Sequence, residues 1–190
     1  MKFVDAKGLV CPKPVIMAKK ALKESDAITI EVDNEMSCEN LQKMAKVMAL
    51  DCQVSQEDRV YRLVLTKTEA QAPAADQDAD SYIVVVSSRY AGIGDDTLGD
   101  ALMKSFIYTL TEAEVLPESM IFYNGGVRLT CEGSPVLEDL QKLSGAGVEI
   151  FSCGTCLNFY GLESQLKVGQ VTNMYVIVDK QQKAKKIIRP

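Results

Sequence analysis

Hydrophobic and polar positions alternate with two different rhythms on either side of a polar stretch near the middle of the chain. In the first part, "KFVDA" reads as a short strand, and Val15, Ala18 and Leu22 share one face of a helix running from about Pro12 to Lys23. "AITIEVD", Ala27 to Asp33, alternates as a half-buried strand does. Ser37 is placed to cap a second helix, in which Leu41, Met44, Ala45 and Met48 recur at helical spacing. "CQVSQ" and "VYRLVLT" close this part as a hairpin across "EDR". The order βαβαββ predicts a two-layer α/β sandwich, an open sheet with two helices on one face.

The stretch "TKTEAQAPAADQDAD" has no large apolar residue and a local acidic excess, so residues 67–80 read as a linker. Beyond it the strands become continuous apolar runs. "YIVVVSS" is one, "SMIFYNGG" a second and "VEIFSC" a third, alternating with helical patterns. Such runs predict a mainly parallel sheet flanked by helices. Leu98, Ala101, Leu102, Ser105 and Phe106 mark the expected inner face of the first helix here, with Asp95 and Asp96 as capping candidates. "NGG" is expected as a tight turn, with an anion-binding backbone turn as the alternative. Ser134 and Pro135 are placed to open a helix reaching Leu143, ended by Gly145 and Gly147. Thr172 or Asn173 is expected to cap a helix in "TNMYVIVDKQQKA", with Met174, Ile177 and Val178 on one face and a last strand in "KKIIR". The expected domains are 1–66 and 81–190.

Composition narrows the chemistry. The 190 residues carry a net charge of -5, which disfavours a nucleic-acid reader. No apolar run is long enough to cross a bilayer and no apolar signal core opens the chain, so no membrane partner and a cytoplasmic location are expected. There, the six cysteines are expected as reduced, reactive or buried thiols rather than structural disulfides. The chain has no histidine. Ser-His-Asp triads, Cys-His proteases and His-ligated zinc are excluded, and chemistry falls to Cys, Lys, Asp/Glu, Tyr or backbone dipoles.

Two thiol sites then stand out. Cys11 lies between Val10 and Pro12 in "GLVCPKP", at the start of the first helix. Bare amides and the positive helix end would stabilise a thiolate there, and Lys13 adds local charge. Pro12 and Pro14 suit a first turn, because the N–H they lack would be unpaired anyway. Lys13 precedes a proline and resists helical angles, which favours a start at Pro14. The alternative is a small buried thiol. The second site is "FSCGTCLNFYG", where Cys153 ends a parallel strand and Cys156 follows in CxxC spacing. Ligands gather at the carboxyl ends of strands in open α/β sheets, and Gly154 would let another molecule approach. A redox dithiol, a zinc half-site and coincidence remain open, but zinc needs further ligands that the chain does not offer nearby, so no metal and no cofactor are expected. Cys38 and Cys52 read as packing residues. Cys131, just ahead of a helix start, leaves a reactive role open. "YAGIGDD" lacks the glycine spacing of a dinucleotide loop and borders the Cys153 crevice. The basic tail reads as a solvated end.

The string "DAKGLVCPKP", with Gly8, Leu9, Cys11, Pro12, Lys13 and Pro14, resembles the signature of the TusA/SirA family of sulfur carriers. The resemblance implies that Cys11 carries a persulfide sulfur from a donor to an acceptor. The part after the linker resembles the DsrE-like family in "YIVVVSS", "GVEIFSCG" and the trailing Gly161 and Leu162. It implies Cys153 as a sulfur-accepting thiol, with Cys156 resolving or protecting it, and a homo-oligomer built through this domain. The two parts together, with "NGGVRLTCEGS", "SCGTCLNFYGL" and "VGQVTNMY", resemble YedF-type proteins, described as sulfurtransferase-like and linked to selenium metabolism. The implied partners are a cysteine desulfurase or other persulfide donor and a downstream sulfur or selenium acceptor. The linker would bring Cys11 near Cys153 at an effective concentration on the order of millimolar. The competing classes are a thiol-disulfide oxidoreductase using Cys153 and Cys156, and a non-catalytic adaptor.

Overall fold

The computed structural model describes residues 2–10, 12–68 and 81–190. Cys11 and most of the expected linker, residues 69–80, lie outside the described residues. The chain divides into two compact units, one on either side of that stretch.

The first unit runs β1 (Lys2–Asp5), α1 (Lys13–Glu24), β2 (Ala27–Val32), α2 (Glu35–Val47), β3 (Leu50–Glu57) and β4 (Val60–Lys67). Its sheet has the order β1-β2-β4-β3. Only β1 and β2 are parallel; β2–β4 and β3–β4 are antiparallel. Alternation along the strands sends Ile28, Ile30, Leu63 and Leu65 into a core with Ala18, Leu22, Leu41 and Ala45 of the two helices. The other face carries Thr29, Glu31, Arg62 and Val64, in register across β2 and β4.

α1 starts at Lys13, between the two prolines, with Pro12 at the cap and Pro14 buried in the first turn. The cap of α2 is corrected. Asn34, not Ser37, is the capping residue, and its side chain accepts the Ser37 N–H at 2.8 Å. The chain leaves β2 still extended at Asn34, so the helix begins earlier and Ser37 is buried inside its first turn.

The second unit runs β5 (Ile83–Val86), α3 (Asp96–Thr111), β6 (Ser119–Phe122), a 3-10 helix (Asn124–Thr130), α4 (Leu137–Gly145), β7 (Glu149–Cys153), α5 (Gly154–Phe159), a second 3-10 turn (Glu163–Gln165), β8 (Gln170–Thr172), α6 (Met174–Lys183) and β9 (Ile187–Ile188). The sheet order is β8-β7-β6-β5-β9, and every pairing is parallel. β5 and β6 are buried at every position, as expected for strands covered on both faces.

Three local expectations are corrected here. The inward face of α3 is Gly99, Met103, Ile107 and Leu110, while Leu98 and Leu102 are 58% and 49% exposed. Both rows satisfy helical spacing. Packing decides between them, because a Cβ at Gly99 would lie 2.9 Å from that of Tyr90, a fit open only to glycine. "NGG" opens a 3-10 helix rather than a tight turn, with Gly126 seated so close to β5 that a Cβ would meet the Val86 carbonyl oxygen at 2.2 Å. α4 begins at Leu137 after a turn in which the Leu137 N–H reaches the Ser134 carbonyl at 3.3 Å, so Ser134 and Pro135 precede the helix instead of opening it. Asp95 and Asn173 cap α3 and α6 as expected, although Met174 and Val178 are exposed and only Ile177 of that face is buried. β8 and the short α5 were not legible in the hydrophobic pattern.

Candidate functional site

Two places hold the residues singled out from the sequence, one in each unit. In the first unit the loop after β1 carries Gly8, Leu9 and Pro12. Gly8 sits at φ +72°, a region that favours glycine, with open space where a Cβ would be. Its N–H donates to Asp33 Oδ2 at 2.8 Å, tying the loop to the end of β2. Lys7 Nζ donates to Glu31 Oε2 at 2.7 Å, and Arg62 holds the other oxygen of Glu31 at 2.7 Å. Glu31 is buried on the sheet. Its hydrogen bonds from Lys7 and then Arg62 hold its carboxyl below the ordinary carboxylate range, and the Glu31 bond raises Lys7 in turn. Leu9 packs against the core, whereas Val10 is 74% exposed and Lys13 is exposed. The loop is therefore anchored on both sides of Gly8 and open to solvent around Val10 and Lys13.

In the second unit the carboxyl ends of neighbouring strands converge. β6 ends at Phe122, one residue before the turn into Asn124, and β7 ends at Cys153. Cys153 is 2% exposed and packs in the core, while Cys156 is half-buried on α5. Both are free thiols. Asn124, at φ 48°, donates its backbone N–H to Cys156 Sγ at 3.0 Å. The Tyr160 hydroxyl donates to Asn124 Oδ1 at 3.0 Å, and the Arg128 guanidinium lies 4.4 Å from the centre of the Tyr160 ring. Burial pushes the Cys156 thiol up, the Asn124 N–H pulls it back, and the adjoining Cys153 thiol raises it again. Cys153 is the cap residue of α5 and Cys156 its third residue, so the two thiols lie within one helical turn. Gly154 leaves room for the chain's own β8, since a Cβ there would lie 2.9 Å from Val171 Cγ1.

The remaining thiols lie elsewhere. Cys38 is buried in the first core, Cys52 packs beside it, and Cys131 is buried with its thiol donating to the Val127 carbonyl at 3.2 Å. Burial raises all three. Among the described residues no cluster of three or more His, Cys, Asp or Glu could hold a metal, and no helix is long and apolar enough to cross a membrane. Sequence reasoning missed Asn124, Tyr160 and Arg128. The "NGG" string was the available signal, read as a turn rather than as a donor to sulfur.

Comparison with known proteins bears on the two units unequally. The family model for sulfurtransferase TusA matches residues 2–67. A SirA-like protein from Desulfitobacterium hafniense is 42% identical, its whole length matching 36% of this chain, with a TM-score of 0.35. A protein of unknown function from Methanobacterium thermoautotrophicum is 23% identical over 58% of this chain and 98% of its own, TM-score 0.45. The ychN protein from E. coli is 14% identical over 58% of this chain and 98% of its own, TM-score 0.46. No curated protein sequence matches the chain.

Proposed function

Because the chain belongs, through residues 2–67, to the TusA family of sulfurtransferases, we propose that it carries sulfur or selenium as a cysteine persulfide or its selenium analogue. Cys11 is the carrier thiol in this reading. The match over residues 2–67 carries it, since those residues hold the whole Gly-Leu-x-Cys-Pro-x-Pro string. The anchored loop supports it: Gly8 bonded to Asp33 and Lys7 bonded to Glu31 hold the approach to Cys11 against the sheet. Pro12, Lys13 and Pro14 set the start of the helix that follows. A thiol ionised at such a position attacks a donor persulfide without a general base, which suits a chain with no histidine.

The second unit is read as a DsrE-like partner domain, the whole being a YedF-type arrangement active in selenium metabolism or a sulfur relay. Lys67, expected to open the linker over 67–80, is the last residue of β4; in this reading the rest of that linker lets Cys11 of the first domain (1–66) pass its cargo to the thiol pair of the second (81–190), in the same chain or a neighbouring one. Exposed Ile93, Leu98 and Leu102 support a homo-oligomer through this unit. The donor is a cysteine desulfurase or another persulfide protein, and the location is cytoplasmic. A second reading, a thiol-disulfide oxidoreductase, is favoured by the placement of Cys153 and Cys156 within one turn at the start of α5 alone.

The test is peptide mass spectrometry after incubating the full chain with a cysteine desulfurase and cysteine. The expected result is a gain of one sulfur on Cys11 that disappears in Cys11→Ser. A Cys153–Cys156 disulfide exchanging with thioredoxin, and no sulfur gain on any peptide, establishes the oxidoreductase instead. No covalent change on any thiol leaves an adaptor.

A further inference from the structure

Cys153 and Cys156 are neighbours but not equivalents. Cys156 is half-buried while Cys153 is buried, and of the two only Cys156 receives the Asn124 N–H, at 3.0 Å. Cys153 lies in the core, 2% exposed, at the last position of β7. An outside donor can therefore reach one of the two sulfurs, and the other can be reached only from within. We propose that the pair is a release device, in which sulfur delivered to Cys156 is discharged as hydrosulfide, or selenium as hydroselenide, by attack of Cys153.

This inference rests on the persulfide reading of the chain and reverses the expected order of the two thiols. Cys156 receives, and Cys153 resolves. The step is Cys156–S–S⁻ + Cys153–SH → Cys153–S–S–Cys156 + HS⁻. The bond between the two cysteine sulfurs forms, and the bond to the delivered atom breaks. The Cys153 proton leaves on the sulfide. The cysteine sulfurs are oxidised and the delivered atom is reduced. An external dithiol then reduces the disulfide by two exchange steps and returns both thiols. The geometry selects attack on the inner sulfur, because Cys153 caps α5 and Cys156 is the third residue of its first turn, while the delivered atom lies one bond further out. The Asn124 N–H holds Cys156 Sγ in place for that attack, and Tyr160 holds Asn124 through its side-chain oxygen. The acceptor such a device serves takes a free, reduced chalcogen nucleophile rather than a protein-bound persulfide.

The experiment uses the full chain carrying Cys11→Ser, so that the fate of the carrier thiol has no bearing on the outcome. The reduced protein is mixed with limiting inorganic polysulfide, freed of reagent by gel filtration and mapped by peptide mass spectrometry. The expected product is a Cys153–Cys156 disulfide with little sulfur retained. Adding Cys153→Ala raises the fraction of Cys156 that keeps an extra sulfur by about tenfold or more, and dithiothreitol then liberates that sulfur as sulfide. Cys153→Ser provides the same comparison should the alanine variant fold poorly, and circular dichroism reports which variant to use. The proposal is overturned if Cys156 takes up no sulfur, if the extra sulfur is found on Cys153, or if Cys156 in the Cys153 variants retains no more than in the parent.

Discussion

The two units fasten their cysteine-bearing segments by opposite physical means. In the first, charge does it: the motif loop is fastened through Lys7, Glu31 and Arg62 on the open face of a sheet, and through Gly8 to Asp33. In the second, burial does it: Cys153 is enclosed at the end of a doubly covered strand and Cys156 leans on a backbone amide. The difference follows from the sheets. A mixed sheet with helices on one face keeps a polar face on which ion pairs can form. An all-parallel sheet covered on both faces leaves only its strand ends for chemistry.

The largest test of that contrast is a pair of truncations. Ile121→Ala, in the fully buried β6, is expected to cost about 2–5 kcal/mol, whereas Val64→Ala, on the open face of β4, costs within about 1 kcal/mol. Urea denaturation followed by circular dichroism gives the magnitudes, and peptide-resolved hydrogen exchange assigns each to its unit. Equal losses would remove the distinction between the sheets.

Next come two identical substitutions with different causes. Gly126→Ala drives a Cβ into the Val86 carbonyl and is expected to cost about 3 kcal/mol, loosening Asn124 and with it the Cys156 contact. Gly8→Ala meets open space, but its positive φ costs about 1–2 kcal/mol, with the loss confined to the motif loop. Slower sulfur loading of Cys11 in Gly8→Ala, and faster exchange around residues 122–131 in Gly126→Ala, are the readouts.

The smallest effect is a pH dependence confined to the first unit. Glu31 is held below its ordinary value by Lys7 and Arg62, so it contributes stability above the unfolded carboxylate value and loses it as pH falls through the depressed folded one. Wild type is therefore expected to be more stable than Glu31→Gln at neutral pH, with the gap in urea midpoint closing in acid. A gap independent of pH would assign Glu31 a packing role instead.

Several of these features were legible before any coordinates. Alternation in "AITIEVD" identified a strand with one buried face, and the unbroken "YIVVV" identified one buried on both. The Asp95 and Asn173 caps also followed from local chemistry, whereas α1 starts at Lys13, the residue expected to resist helical angles, and not at Pro14. The α3 face did not, because its two apolar rows have equal helical spacing and only the close fit of Gly99 to Tyr90 selects one. Ser37 failed as a cap because Asn34, three positions earlier and just beyond the end of β2, is the residue whose side chain accepts a first-turn N–H, that of Ser37 itself. Tyr160 and Asn124 were out of reach because 36 residues separate the partners of their hydrogen bond.

By itself the sequence determined the succession of strands and helices apart from β8 and α5, the absence of histidine chemistry and the presence of two cysteine-bearing motifs. These depend on residue types and on spacings of a few positions, which act locally along the chain. Tertiary structure alone decided that Cys156 is half-buried while Cys153 is enclosed, and that the Asn124 backbone N–H, just beyond the end of β6, meets the Cys156 sulfur. Exposure and hydrogen bonding between strand ends are set by how the sheet assembles, and no local pattern encodes them.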